Sequence, residues 1–150
     1  MSDELFNLIY NKSLDLLSRR EHSRKELKEK LLLRFQSDDM IQTVLDKLET
    51  NNLINELRFA EAYTRSRKRK GFGPKKIFYE LSAKGVKESV SNQVILDEGN
   101  WDKVAKLAFT KKFKNGPSEE IKQKLKQKNF LQNRGFGFKE IESVFTNDML

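Results

Sequence analysis

The chain has 150 residues, with 30 lysines and arginines against 22 aspartates and glutamates, so its formal net charge is +8. Hydrophobic residues make up 37% and charged residues 35%, which favours thin, elongated packing over one large core, although 11 phenylalanines exclude wholesale disorder. The lack of cysteine excludes disulfides, thiol chemistry and thiolate metal sites.

The start of the chain, Met1–Glu4, is acidic and leads directly into apolar residues, so it lacks the basic start of a signal peptide. No apolar run approaches the roughly 20 residues needed to span a bilayer. We therefore expect a soluble, cytoplasmic protein.

Helical periodicity dominates the first third of the chain. A first helix is predicted to begin near Ser2 or Asp3. The segment Ser23–Glu26 has the pattern of a capping box, in which a serine and a glutamate satisfy free amides at a helix start, so a second helix should follow it. Ser37, or one of the two aspartates after it, can cap a third helix, which Asn51 ends.

The middle third repeats this order of helices. Residues Phe59–Tyr63 mark a first helix, and Gly71–Pro74 interrupt it, because proline is well suited to the first turn of a following helix. Gly85 ends that second helix. Residues Val90–Ile95 predict a weak third helix.

The last third repeats the order again. Asn100 can cap a helix that carries Trp101, and Asn115–Ser118 form a turn. A second helix ends at Gly135, and a final helix carries Ile141.

Two spacings relate the three segments. Positions in the later helices repeat every 50 residues, as in Leu31, Leu81 and Leu131, or Val44, Val94 and Val144. The first helices match at a spacing of 46 residues, through Leu17, Tyr63 and Phe109.

We therefore predict an all-α fold of three tandem three-helix repeats, residues 1–54, 55–98 and 99–150, stacked into an elongated, curved, solenoid-like rod. Because the two spacings differ, the loop after the first helix should lengthen by about four residues per unit. In the second unit the added residues would be Lys68–Gly73, and insertions into repeat loops often gather on the binding face.

The positive charge is concentrated in the second and third segments. Residues 65–76 contain lysines and arginines but no carboxylate, and residues 103–135 contain ten lysines or arginines against two glutamates. Residues 36–62, by contrast, carry six acidic residues. This asymmetry predicts a polyanionic partner, either nucleic acid or an acidic protein–nucleic acid assembly. Lysine-rich faces that only increase solubility are the alternative.

No catalytic set is evident, so we expect neither an enzyme nor a bound metal or cofactor. His22 is the only histidine and is expected at the surface, with no nucleophile beside it. Asp38 and Asp39 are better explained as helix caps than as metal ligands. The segment Lys70–Lys76 lacks the spacing of a nucleotide-binding phosphate loop, although its glycines and free amides could contact backbone phosphates.

The stretch Tyr63–Phe72 mixes aromatic and basic side chains, a combination that binds nucleic acids by stacking and phosphate contact. For Tyr63 a place in the core is favoured, since it matches Leu17 and Phe109 in the repeat. Phe72 lies outside the helical stripe, so a contact role and a packing role stay equally open for it.

Three groups of residues resemble the motifs of one known family. In the second segment they are Leu53–Ala60, Tyr63, Arg67, Gly73–Pro74, Ile77, Glu80–Leu81 and Lys84–Val86. This string resembles the second repeat of the RecX family of recombinase regulators. Leu16–Arg20 and Ser23–Leu27 resemble the family's first repeat, and Phe130–Phe136 with Ile141 and Val144 its C-terminal signature.

The resemblance implies a fold of three tandem three-helix repeats. It also implies binding in the groove of an active RecA filament on single-stranded DNA, inhibition of its ATPase, strand-exchange and coprotease activities, and so a part in the regulation of DNA repair and the SOS response. Two positions depart from the family. Asn55–Glu56 stands where the family has paired acids, and Gln127 occupies the apolar slot of Leu27 and Ile77, which predicts a register shift in that helix.

The expected partners are therefore the RecA filament and single-stranded DNA, contacted by a monomer that needs no membrane. A sequence-nonspecific DNA-binding protein and a purely structural adaptor are the alternatives. The residues predicted to contact the filament or its DNA are Arg58, Arg65, Arg67, Lys68, Arg69, Lys70, Phe72, Lys75, Lys76, Lys84, Lys111, Lys112 and Arg134.

Overall fold

Within residues 2–146, the part of the chain described by the computed structural model, there are nine α-helices and no strand. The helices are α1 (Ser2–Leu17), α2 (Arg24–Leu32), α3 (Asp38–Thr50), α4 (Glu56–Arg69), α5 (Pro74–Ala83), α6 (Glu88–Glu98), α7 (Trp101–Lys112), α8 (Ile121–Asn133) and α9 (Phe138–Phe145). No helix in this range is both long and apolar enough to cross a membrane. Met1 and residues 147–150, the outer ends of the predicted repeats, lie outside the described residues.

The helices pack in threes, and each set encloses its own apolar core. We name the sets unit 1 (α1–α3), unit 2 (α4–α6) and unit 3 (α7–α9). Their buried residues include Ile9, Leu31 and Val44 in unit 1, Phe59, Leu81 and Val94 in unit 2, and Phe109, Leu131 and Ile141 in unit 3. The predicted all-α rod of three-helix repeats is thereby confirmed.

One 50-residue register relates all three units, including their first helices. Ile9, Phe59 and Phe109 are 0%, 1% and 2% exposed and form the centre of each core. The predicted 46-residue spacing is wrong, because it pairs the buried Phe109 with Leu17 and Tyr63, which are only partly buried. A large apolar residue followed by hydroxyl and basic residues suits the end of any amphipathic helix, so this match does not mark equivalent positions.

The loop after the first helix does not lengthen steadily from unit to unit as predicted. Residues 18–23 connect α1 to α2, residues 70–73 connect α4 to α5 and residues 113–120 connect α7 to α8, so the loop shortens in unit 2 and is longest in unit 3. Helices α2 and α5 begin at Arg24 and Pro74, in step with the 50-residue register. Residues 65–69 belong to the last turns of α4, and only residues 70–73 connect α4 to α5. The most basic stretch of the chain is therefore mostly helical rather than an inserted loop.

Gln127 keeps the middle helix of unit 3 in register, contrary to the predicted shift. It is 6% exposed at the position of Leu27 and Ile77, and Leu131 follows it into the core. Its Oε1 accepts from the Ser118 N–H at 2.9 Å, and its Nε2 donates to the Gly116 carbonyl at 3.2 Å. An amide is tolerated there because the connection before α8 satisfies both of its polar ends.

His22 is buried, contrary to the expectation of a surface residue, and is 1% exposed. Its Nδ1 lies 3.1 Å from the Arg20 carbonyl and its Nε2 lies 2.9 Å from Lys30 Nζ. A neutral imidazole with its proton on Nδ1 satisfies both contacts. Burial lowers the pKa of His22, with the neighbouring Arg20 and Lys30 charges acting in the same direction.

The middle helices of the three units are arranged end to end. The Gly73 N–H donates to the Arg134 carbonyl at 2.7 Å, and the Lys75 N–H donates to the Gly135 carbonyl at 2.9 Å. Free amides at the start of α5 thus meet free carbonyls just after α8, and the two helix dipoles attract. We call this contact the backbone joint.

The equivalent contact between units 1 and 2 uses side chains. Lys25 Nζ donates to the Ala83 carbonyl at 2.9 Å, and Lys84 Nζ donates to Glu26 at 3.2 Å. Here the start of α2 meets the end of α5. We call it the side-chain joint.

The backbone joint leaves no room for a side chain at Gly73. A Cβ on this residue would lie 2.5 Å from the carbonyl carbon of Gly135, which is backbone and cannot swing away. Gly135 itself has a φ of +100°, which favours glycine.

The substitution Gly73→Ala should therefore push units 2 and 3 apart and lower the free energy of unfolding by about 1–3 kcal/mol. Gly137→Ala is the matched control, since both glycines precede a helix with negative φ and a Cβ on Gly137 meets only the flexible side-chain ends of Glu140, at 3.2 Å, and Lys75, at 3.5 Å. Urea unfolding followed by circular dichroism measures both variants. Equal stability of the two would contradict the steric account.

Candidate functional site

Several of the residues predicted to contact the filament are held by carboxylates within the molecule. Arg67 donates two hydrogen bonds to Glu80, from Nε at 2.8 Å and from Nη2 at 2.7 Å. Lys68 Nζ donates to Glu98 Oε1 at 3.3 Å and to the Glu98 carbonyl at 3.1 Å. Arg65 is exposed and lies 3.9 Å from the same carboxylate.

Two further predicted residues lie at the junction of units 1 and 2. Arg58 donates from Nε to Glu21 at 2.6 Å and from Nη2 to the Asn52 carbonyl at 3.0 Å. Lys84 pairs with Glu26 in the side-chain joint. Both cations therefore connect parts of the chain that are distant in sequence.

Phe72 is enclosed by cations from two units. The Arg67 guanidinium lies 3.8 Å from the ring centroid and that of Arg134 lies 4.9 Å from it. Arg134 also donates to the Lys70 carbonyl at 3.2 Å and so fixes residues 70–73 against unit 3. Phe72 is half-buried and packs against the core of unit 2, and its contact role stays a prediction.

Tyr63 lies at the edge of the core of unit 2, as favoured from the sequence. Its ring stacks on Phe59, with centroids 5.8 Å apart. Its hydroxyl donates to Glu80 Oε1 at 2.8 Å. Burial raises the pKa of Tyr63 to about 12, and the hydrogen bond to the Glu80 carboxylate adds to this.

Most of the remaining predicted cations meet in one cleft of about 830 Å³ between units 2 and 3, which we call the cationic cleft. Arg69 and Lys70 approach it from the end of α4, and Lys111 and Lys112 from the end of α7. Lys114, which was not predicted, joins them. Among the described residues no aspartate or glutamate lines this cleft. Apart from Lys68, which is paired with Glu98, and the half-buried Arg134, its cations are exposed to solvent.

A second cleft, of about 750 Å³, lies where α5 meets α8 and α9, and we call it the aromatic cleft. The predicted residues Lys75 and Lys76 line it. Beside them stand Tyr79 and Phe138, which are 72% and 77% exposed and were not predicted. The sequence does contain a signal for the exposure of Tyr79. It falls midway between the buried residues Ile77 and Leu81 on one helix, so its side chain points away from the core.

Glu26 is the centre of the side-chain joint. It closes the predicted capping box with Ser23, accepts two hydrogen bonds from Arg20 at 2.9 and 3.0 Å, and accepts a third from Lys84. Burial alone would raise the pKa of this carboxyl. The hydrogen bonds and charges of Arg20 and Lys84 outweigh burial and lower the pKa to about 2.

Because the folded-state pKa of Glu26 is depressed, its contribution is present above the ordinary pKa of 4.5 and is lost as pH falls towards 2. Glu26→Gln keeps the capping pattern but removes the charge, so it should lower the free energy of unfolding at pH 7 by roughly 1–3 kcal/mol. Urea unfolding at a series of pH values should show this difference shrinking below pH 4.5. Glu29→Gln, exposed on the same helix, is the control. An equal effect of both substitutions would refute the assignment.

Comparison with known proteins identifies the family. The family model described as the first three-helix domain of RecX matches residues 10–48, and that described as the second three-helix domain matches residues 55–95. The regulatory protein RecX of Halorhodospira halophila is 37% identical over 88% of this chain and 83% of its own length. That of Chromohalobacter salexigens is 36% identical over 90% of this chain and 89% of its own.

Solved structures agree with this result. The crystal structure of RecX from Lactobacillus salivarius is 25% identical to this chain and covers 97% of it and 96% of its own chain, with a TM-score of 0.76. A second crystal structure, of a regulatory protein RecX, has a TM-score of 0.75 at 22% identity, covers 96% of this chain and 73% of its own, and supports the fold. Fold, motifs and sequence identity together show that this chain belongs to the RecX family of regulatory proteins.

Proposed function

We propose that this protein binds the RecA filament formed on single-stranded DNA and reduces its ATPase, strand-exchange and coprotease activities. The observation that carries the proposal is the cationic cleft, where exposed lysines and arginines from two units meet without a lining carboxylate. A nucleoprotein filament presents phosphates and acidic side chains, which such a surface attracts. Membership of a family of regulatory proteins supports the same conclusion.

The arrangement of the three units suits a partner that is itself elongated. The two clefts lie on either side of the backbone joint, because Gly71 lines one and Gly135 lines the other. The joint holds both at a fixed separation. Several weak contacts held by one semi-rigid chain bind more tightly together than any one of them does alone.

The residues suited to a test are those whose charged group forms no ion pair within the described part of the chain. A charge reversal at Arg67 or Lys68 also leaves Glu80 or Glu98 without its partner, so it cannot separate binding from folding. Arg69 and Lys111 are exposed in the cationic cleft and form no ion pair within residues 2–146.

The double variant Arg69→Glu/Lys111→Glu should bind the RecA filament roughly tenfold or more weakly, because two attractive contacts become repulsive. Titration into a RecA ATPase assay on single-stranded DNA, with a matched salt control without the protein, measures the loss. The control variant Arg34→Glu/Lys47→Glu carries the same change of net charge on exposed residues of unit 1. Equal suppression of the ATPase by both variants would argue against the cleft.

A direct role in binding DNA is favoured by the aromatic cleft, where the exposed rings of Tyr79 and Phe138 lie beside Lys75 and Lys76. Exposed aromatic rings next to cations stack bases and hold phosphates. We therefore treat nonspecific DNA binding as the second candidate function.

Salt dependence separates the two functions. A filament regulator should suppress RecA turnover at physiological salt while binding free oligo(dT) poorly, whereas a DNA-binding protein should bind oligo(dT) tightly with an affinity that falls steeply as salt rises. Fluorescence anisotropy with labelled oligo(dT) measures the second property, and Tyr79→Ala/Phe138→Ala should weaken whatever binding exists. Tight binding to free DNA without an effect on RecA would favour the second candidate.

A further inference from the structure

We propose that the cationic cleft binds an acidic protein segment with aliphatic side chains, rather than a nucleic acid strand. This inference rests on the proposed function, because it takes the protein component of the filament as the partner that binds in this cleft. Three features support it: the aliphatic residues at the floor of the cleft, the charged residues at its rim, and the arrangement of the aromatic rings nearby.

The floor of the cleft is largely aliphatic. Val104, Leu107 and Ala108 line it from successive turns of α7. Leu107 is 73% exposed, although its position on the helix lies next to the core residues Val104 and Ala105. An exposed aliphatic patch inside a concave site, surrounded by polar groups, is typical of a protein-binding surface.

Seven lysines and arginines line the cleft, and two of them, Lys68 and Arg134, are already bound within the molecule, while the other five form its rim. The cations of the rim are Arg69, Lys70, Lys111, Lys112 and Lys114. The carboxylate of Glu98, at the end of α6, is held by Lys68. A partner segment must therefore bring acidic side chains for the rim and apolar ones for the floor, and an amphipathic acidic helix carries both at i, i+4 and i+7 spacing.

A stacked nucleic acid strand suits this cleft poorly. The one aromatic residue among its described lining residues, Phe130, already carries the Arg134 guanidinium at 5.0 Å from its centroid and Lys112 Nζ at 6.0 Å. Phe113 packs edge-on against the same ring, with centroids 5.4 Å apart. Two exposed rings line the other cleft: Phe138, and Tyr79, whose ring meets that of Phe78 edge-on with centroids 5.8 Å apart.

The probe is a fluorescein-labelled peptide of about 14 residues, with leucines at i, i+4 and i+7, a few glutamates flanking them and alanines elsewhere to favour the helix. Anisotropy titration with the full chain should show binding that is lost when the leucines are replaced by serine at unchanged charge. Leu107→Glu should weaken it roughly tenfold or more, because the variant removes the apolar contact and adds repulsion. Leu96→Glu, at a leucine that is 74% exposed on α6, is the matched control and should leave the affinity within about twofold.

Three results would overturn the inference: equal affinity for the leucine and serine peptides, equal effects of Leu107→Glu and Leu96→Glu, or loss of oligo(dT) binding in Leu107→Glu with peptide binding intact. The RecA ATPase titration is run separately on the wild-type chain. If the peptide does not bind but the protein still suppresses the RecA ATPase, only this inference is refuted. Peptide binding that depends on Leu107, without any effect on RecA, supports the cleft assignment and removes the proposed function instead.

Discussion

The hydrogen bonds that join the start of α5 to the end of α8 determine the geometry of the whole functional region. Two backbone amides donate to two backbone carbonyls there, and glycine is required because any side chain at Gly73 would collide with the facing backbone. Since a middle helix must end where its neighbour begins, the units repeat with one period. The same contact sets the distance between the ends of α4 and α7, and so creates the cleft in which their cations meet.

The charges of this chain serve two different purposes, and net charge alone does not distinguish them. Arg67, Lys68 and Lys84 each face a carboxylate from another helix and stabilise the packing of the units. Arg69 and Lys111 face solvent across a cleft whose described lining carries no acid. The first group makes the fold specific, and the second is available to a partner.

The fold was predictable because its signals are local. Helical periodicity and the capping box at Ser23 follow from neighbouring residues, and the 50-residue spacing of the later helices is visible in the sequence without any knowledge of contacts. The site was only partly predictable, because it depends on contacts between distant residues. Whether Arg67 is free depends on Glu80, which lies on the next helix. The polar ends of His22 and Gln127 are satisfied by residues 2 to 11 positions away, which the folded backbone brings within hydrogen-bonding distance. From its polar side chain alone, His22 was predicted to lie at the surface, and Gln127 was predicted to shift the register of its helix.

The two joints of the rod differ in mechanical stiffness. The backbone joint consists of short hydrogen bonds between rigid helix ends, and its geometry allows little bending. The side-chain joint consists of lysine side chains with several rotatable bonds and an ion pair at Glu26, which salt and acid weaken. We therefore expect unit 1, which the side-chain joint and the Arg58–Glu21 pair hold to unit 2, to be less rigidly attached than unit 3. The two clefts thus lie on a part of the molecule that backbone hydrogen bonds hold together. Unit 1 is attached to that part through ion pairs, so the strength of its attachment should depend on ionic strength.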